Sequence, residues 1–175
     1  TAGIAGTAAL TGHLVLSTLH TNDAATAIPR LSDMGVEPFL VASTVRVIIA
    51  QRLLRKICDG CKTSIDFTRS ELLKHFSKDF LLKYFPEGES ITTYHGTGCK
   101  LCHNTGYKGR LGVFEVLEVS QEIRKLIAEK SDAEVINKQA IKEGMQSMLD
   151  DALIKVQKGQ TTIEEVIRVT KSESL

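Results

Sequence analysis

The chain has 175 residues, 42% of them hydrophobic and 25% charged, with a formal net charge of +1. This fits one globular domain, or one with a small companion, and lacks the basic excess of a general nucleic-acid binder. The sequence begins with no signal peptide and holds no apolar run of about 18 residues, since Arg46 interrupts the stretch from Phe39 to Ala50.

In chain order, Thr1–Leu10 reads as the end of a helix, stopped by Thr11-Gly12. His13–Leu19, HLVLSTL, has the length and apolar density of a strand buried on both faces, as in a parallel sheet. A polar turn, His20-Thr21-Asn22-Asp23, leads to a helix from about Thr26 to Met34 with Gly35 as its stop. Pro38 opens the next helix, which reaches about Val45. Arg46–Ile57 and Arg110–Val119 read as strands able to pair antiparallel, with the stretch between them projecting from the tip. Within that stretch, Ser70–Phe85 shows helical spacing. The tail is helical: Ser120 caps one helix, Ser131-Asp132-Ala133-Glu134 has the form of a capping box, Ser147 caps a third, and Thr161-Thr162-Ile163-Glu164 caps the last. Glu164 and Glu165 read as capping and surface charge.

The four cysteines form two knuckles, Cys58-Asp59-Gly60-Cys61 and Cys99-Lys100-Leu101-Cys102. A C-x-x-C turn aims two thiolates at one point, and two such turns supply the closed four-sulfur set of a structural zinc. Gly96, Gly98 and Gly106 permit the tight backbone of a metal loop. Four reduced thiols, a disulfide pair or a redox centre are the alternatives, although a thioredoxin-like site leaves the second knuckle unexplained. Ligands of open parallel sheets sit beyond the carboxyl ends of the strands, which singles out Thr18, His20, Thr21 and Asn22. The plain alternative is a helix cap and a surface histidine. His13, at the start of that stretch, suits packing or a subunit contact better than chemistry. The basic residues Arg46, Arg52, Arg55, Lys56, Lys108 and Arg110 suggest a subunit interface rather than a nucleic-acid platform, because aromatic residues are only 5% of the chain. No GxxxxGK[ST] loop, carboxylate pair or HExxH motif is present.

Five separated stretches resemble one family: TGHLVLSTLHTNDA from Thr11, RLSDMGVEPFLVAS from Arg30, AQRLLRKIC from Ala50, GCKLCHNTGYKGRLGVFEVLEV from Gly98 and QKGQTTIEEVIRVT from Gln157. They are similar, in the same order, to the type II secretion and type IV pilus assembly ATPases, the GspE/PilB-like group. The knuckles favour the secretion or pilus-extension branch, since the related retraction ATPases lack that insertion. The resemblance implies an α/β fold: the C-terminal part of a RecA-like ATPase core over 1–57, a tetracysteine zinc insertion over 58–109, a returning core strand over 110–119 and a C-terminal helical bundle over 120–175. It carries a histidine-box role to His13 and His20, with Thr18 and Asn22 beside them as nucleotide contacts. It carries metal ligation to Cys58, Cys61, Cys99 and Cys102. Gly3 and Gly6 depart from the family, which has larger helix formers there.

The function implied is that of a motor ATPase, of which this chain would be the C-terminal part, expected inactive alone because its phosphate loop and acidic boxes lie upstream. ATP and Mg2+ belong to the full-length protein and zinc to the knuckles. The implied partners are copies of itself in a ring, expected to be hexameric, and inner-membrane platform proteins, with no nucleic acid. The implied location is cytoplasmic, on the inner face of the bacterial inner membrane. A non-enzymatic zinc-containing module that docks on a platform protein, and a zinc-ribbon nucleic-acid binder, are the rival readings.

Overall fold

A computed structural model describes residues 2–86 and 88–171. The chain divides into two compact units, 1–51 with 114–147, and 52–113 with 148–175. Neither unit is continuous in sequence, because the strands β1 (Val47–Ile57) and β4 (Tyr107–Glu118) each run from one into the other.

The first unit is built on helices. α1 (Ala2–Leu10), α2 (Ala27–Asp33) and α3 (Pro38–Thr44) come from the N-terminal stretch, and α6 (Gln121–Ala128) and α7 (Ala133–Lys142) follow β4. Pro38 stands at the first turn of α3, where its missing N–H costs nothing. Ser120 caps α6 by accepting from the Ile123 N–H at 3.1 Å. α3 packs on α1 and α6, and α6 on α7, around Val41, Ile123, Ile127 and Ile136, each almost fully buried. Alternation along β4 sends Val113, Glu115, Leu117 and Val119 inward, as the period-two pattern predicts. Glu115 is buried and accepts the Ala24 N–H at 3.0 Å.

β1 and β4 are hydrogen-bonded neighbours. The Val119 N–H donates to Arg46 O at 2.9 Å, and at the other end the Cys58 N–H donates to Gly106 O at 2.9 Å. The pairing is therefore antiparallel, and both knuckles lie at its tip.

The second unit adds β2 (Lys62–Thr68) and β3 (Ser90–Gly96), antiparallel from Lys62↔Gly96 to Thr68↔Ser90. Between them lie α4 (Arg69–Leu72) and α5 (Lys78–Tyr84). α8 (Met148–Gln157) and α9 (Ile163–Lys171) complete the unit. Leu72, Phe76, Leu81, Tyr84 and Ile91 share one core with Leu54, Val113, Leu153, Val156, Ile163 and Val166. The insertion therefore does not hang free from the strand pair: the last two helices supply five of the twelve buried residues of this core.

Four sequence expectations change. His13–Leu19 forms no strand, and Leu14 and Leu16 are 89% and 87% exposed. A strand buried on both faces needs neighbours on its edges, and the described residues form only the β1–β4 and β2–β3 pairs. Ser70–Phe85 is two helices rather than one, because Ser77 in extended conformation accepts from the Phe80 N–H and starts α5 afresh. The capping box at Ser131 does not form: Asp132 is the N-cap without a side-chain bond, and Glu134 pairs with Lys138 at 2.6 Å. The tail 120–175 is not one helical bundle, since α6 and α7 belong to the first unit and α8 and α9 to the second.

Candidate metal centre

Cys58 and Cys61 occupy the turn that ends β1, closed by the Cys61 N–H donating to Cys58 O at 3.2 Å. Cys99 precedes and Cys102 ends one turn of 3-10 helix (Lys100–Cys102), closed by the Cys102 N–H donating to Cys99 O at 3.2 Å. His103 and Asn104 follow in the left-handed region, at φ 51° and 60°, and turn the chain back toward β4. The two knuckles are tied together by backbone. The Thr97 N–H donates to Cys61 O at 3.0 Å, and the Cys58 N–H to Gly106 O. Gly96 and Gly106 face one another so closely that a Cβ on Gly96 would lie 2.6 Å from the Gly106 Cα.

This backbone gathers the four sulfurs. Cys58–Cys99, Cys61–Cys102 and Cys99–Cys102 are each 3.8 Å apart, and all four Sγ atoms lie within 4.8 Å of one another. A disulfide would need about 2.05 Å, so none is formed. A tetrahedron with metal–sulfur bonds of about 2.3 Å has an edge of about 3.8 Å. The donor set thus matches one four-coordinate ion with no open position. Backbone donors reach sulfur: the Cys99 and Gly106 N–H groups point at Cys102 Sγ, at 3.2 and 3.3 Å. Burial pushes the Cys102 thiol up, but these N–H groups together with the Cys99 and Cys61 side chains outweigh it and hold the pKa at about 6. Cys61 shifts the other way overall: burial and the neighbouring thiols raise it to about 12. Metal binding at neutral pH would therefore release protons from the cluster, since every ligand must be a thiolate.

The histidine segment is less assembled. His13 Nδ1 lies 3.1 Å from Thr11 Oγ1 and 3.2 Å from Ala8 O, which ties it to the end of α1. Thr18, His20 and Asn22 are exposed, and Thr18 and His20 make no hydrogen bond among the described residues. The turn before α2 is held instead by Asp23, whose Oδ1 accepts the Thr26 N–H at 2.8 Å.

A second cluster overturns the reading of Glu165 as capping and surface charge. Glu165 is 1% exposed rather than a surface charge. It accepts from Arg55 Nε at 2.8 Å and NH2 at 2.5 Å, from the Arg55 N–H at 2.9 Å, and from Arg168 Nε and NH2 at 2.9 and 3.0 Å. The Arg55 guanidinium stands over the Tyr107 ring at 4.1 Å, and Tyr107 OH lies 3.0 Å from Thr162 Oγ1. Arg168, three residues past Glu165, was the available local signal.

The sequence profile of the Type II/IV secretion system protein family matches residues 1–168. The chain belongs to this family. Family relatives include the type II secretion system ATPase E of Vibrio cholerae, 42% identical over 171 residues, which are 98% of this chain and 32% of that protein. The type IV pilus assembly ATPase PilB of Pseudomonas aeruginosa is 43% identical over 173 residues, 98% of this chain and 29% of that protein. The chain therefore spans about a third of the length of the curated relatives it matches. Among solved structures, the pilus retraction motor PilT with bound ADP has a TM-score of 0.57 at 22% identity, over 98% of this chain and 38% of that one. The ATPase DotB of Legionella pneumophila has a TM-score of 0.56 at 20% identity, over 95% and 34%. At these identities the likeness is one of fold: the family member described here shares a mixed α/β architecture with known ATPases.

Proposed function

We propose that this chain acts as part of a motor ATPase that couples ATP hydrolysis to pilus or pseudopilus assembly, and that by itself it is inactive. The observation that carries the reading is the family match over residues 1–168, joined to relatives named as secretion and pilus-assembly ATPases. In this reading the N-terminal helices and the His13–Leu19 stretch belong to a RecA-like core completed by sequence outside these 175 residues. Phosphoryl transfer needs a phosphate cradle, a magnesium ligand and a group that positions the attacking water. The chain holds no GxxxxGK[ST] loop to cradle phosphate. His20 would complete a site built elsewhere, donating a hydrogen bond on the γ-phosphate side, with Thr18 and Asn22 beside it. His13, bonded to the end of α1, would act through packing or assembly. The working form would be a ring of copies, expected to be hexameric, on the cytoplasmic face of the inner membrane against platform proteins. No helix among the described residues is long and apolar enough to cross a membrane, in keeping with a peripheral role.

Cys58, Cys61, Cys99 and Cys102 would hold one Zn2+, whose part is structural because four thiolates leave no position for substrate or water. That closed set also favours the second reading, a zinc-containing interaction module docking on a platform protein. Steady-state ATPase assays on the full-length protein separate the two. His20→Ala should lower kcat by roughly 10²–10³ with little change in nucleotide affinity, as loss of a donor aimed at developing charge does. His13→Ala should change assembly more than turnover. A full-length protein that hydrolyses no ATP would leave the docking module standing, and full activity in His20→Ala would make that histidine a surface residue.

A further inference from the structure

The basic residues of β1 are only partly accounted for by the fold. Lys56 pairs with Asp59 at 3.1 Å, and Arg52 NH1 donates to Val169 O at 2.9 Å. Arg55 is different. It shares the buried Glu165 carboxylate with Arg168, yet the side chains of both arginines are more than half exposed, 51% and 56%. Each turns Nε and NH2 to Glu165. The NH1 of each has no hydrogen-bond partner among the described residues. The Tyr107 ring under Arg55, and the N–H and C=O of Arg55 bonded to Glu165 and Thr161, leave that side chain little freedom. Two guanidinium forks are thus fixed in advance, so a ligand on their outer edges bears little of the usual ordering cost.

Charge selects the ligand. Two arginines and one carboxylate sum to a single positive charge, which one carboxylate neutralises and a phosphate dianion would overturn. Charge also selects the source. The second unit carries 15 Lys and Arg against 11 Asp and Glu, whereas the first carries 7 against 10. Four thiolates around a divalent ion reduce the second unit's excess but leave it positive. In the first unit Glu118, Glu129 and Asp132 are exposed and have no ion-pair partner among the described residues. The two units therefore carry net charges of opposite sign, which favours head-to-tail association of copies.

We propose that Arg55 and Arg168, held side by side by Glu165, form a carboxylate-receiving site filled by an exposed acidic side chain of a second copy of this chain. The site deepens the ring part of the reading above and rests on it only for the identity of the partner. ATP turnover is not among the readouts, so failure here leaves that reading in place.

The test is sedimentation velocity of the whole chain over a concentration series, at about 50 mM and about 500 mM NaCl. The expected result is association that weakens at high salt, weakens roughly tenfold or more in Arg168→Ala, and weakens less in Arg168→Lys, which keeps the charge and loses the fork. Thermal midpoints are measured alongside. Should Arg168→Ala fail to fold, Arg168→Lys alone must weaken association several-fold. A wild-type chain that stays monomeric at low salt, association indifferent to salt, or an Arg168→Lys chain that associates as well as wild type would each overturn the proposal.

Discussion

The Glu165 carboxylate receives five N–H donations and almost no water, so its charge is held by protein alone. Burial pushes its pKa up, but the Arg168 and Arg55 side chains and the Arg55 N–H outweigh that and hold it at about 2. An unfolded glutamate titrates near 4.3. The folded pKa is thus depressed, so the stabilisation is full above about pH 4.3 and is lost as pH falls through about 2. The shift amounts to about 2 kcal/mol once the half-exposed arginines are discounted for screening. Glu165→Gln should cost about that much at pH 7 in urea denaturation, and the gap from wild type should close between about pH 4 and pH 2. A gap that persists at pH 2 would mean that packing, not charge, explains the loss. Apart from Arg168 three residues on, nothing local in the sequence announces this burial. A Glu in the first turn of a helix usually serves the helix dipole. Here its partner Arg55 stands 110 positions away. The cysteines were legible for the opposite reason, since each knuckle closes through neighbours three residues apart.

Elements whose boundaries depend on local chemistry fall where the sequence places them. α3 begins at Pro38, α6 follows Ser120, and the chain after α8 turns through Gly159 at φ 61°. Some elements that depend on a distant partner do not. Lys62–Thr68 and Ser90–Gly96 are polar and carry no strong period, and become strands only by pairing with one another. His13–Leu19 has the apolar density of a core strand, but burial is a relation between segments, and this one has no sheet neighbour here. The knuckle backbone offers a sharp test at this scale. Gly106 has φ 77°, its N–H donates to Cys102 Sγ, and its backbone lies against Gly96. Gly106→Ala meets both a disfavoured backbone region and a backbone clash. It should lower metal affinity at least tenfold, read by competition with a colorimetric chelator, whereas Gly3→Ala, with open space around it, should leave affinity unchanged.

At the scale of the molecule, the decisive fact is which helices share a core with the four-cysteine loop. An insertion suspended from a strand pair would loosen alone when its ion is removed. In this chain Leu81, Tyr84 and Ile91 pack with Leu153, Val156 and Ile163. Asp150 of α8 accepts from Lys83 at 2.8 Å and from Tyr84 OH, and the Gln157 side chain donates to Tyr84 O. Ile57 N donates to Gln160 O at 2.9 Å, so the turn between α8 and α9 is fastened one residue before Cys58. Loss of the ion should therefore travel along this core rather than stop at residue 109. Hydrogen exchange with and without a zinc chelator should show faster exchange in the knuckles, in β2 and β3, and also in α8 and α9. α6 and α7, whose cores lie in the other unit, should keep their protection. The apolar core of the second unit should also preserve part of its fold without metal, unlike a small zinc finger, which unfolds outright. Exchange that rises only between Cys58 and Gly109 would return the insertion to a pendant, and exchange that rises equally in α6 and α7 would mean that the two units unfold as one.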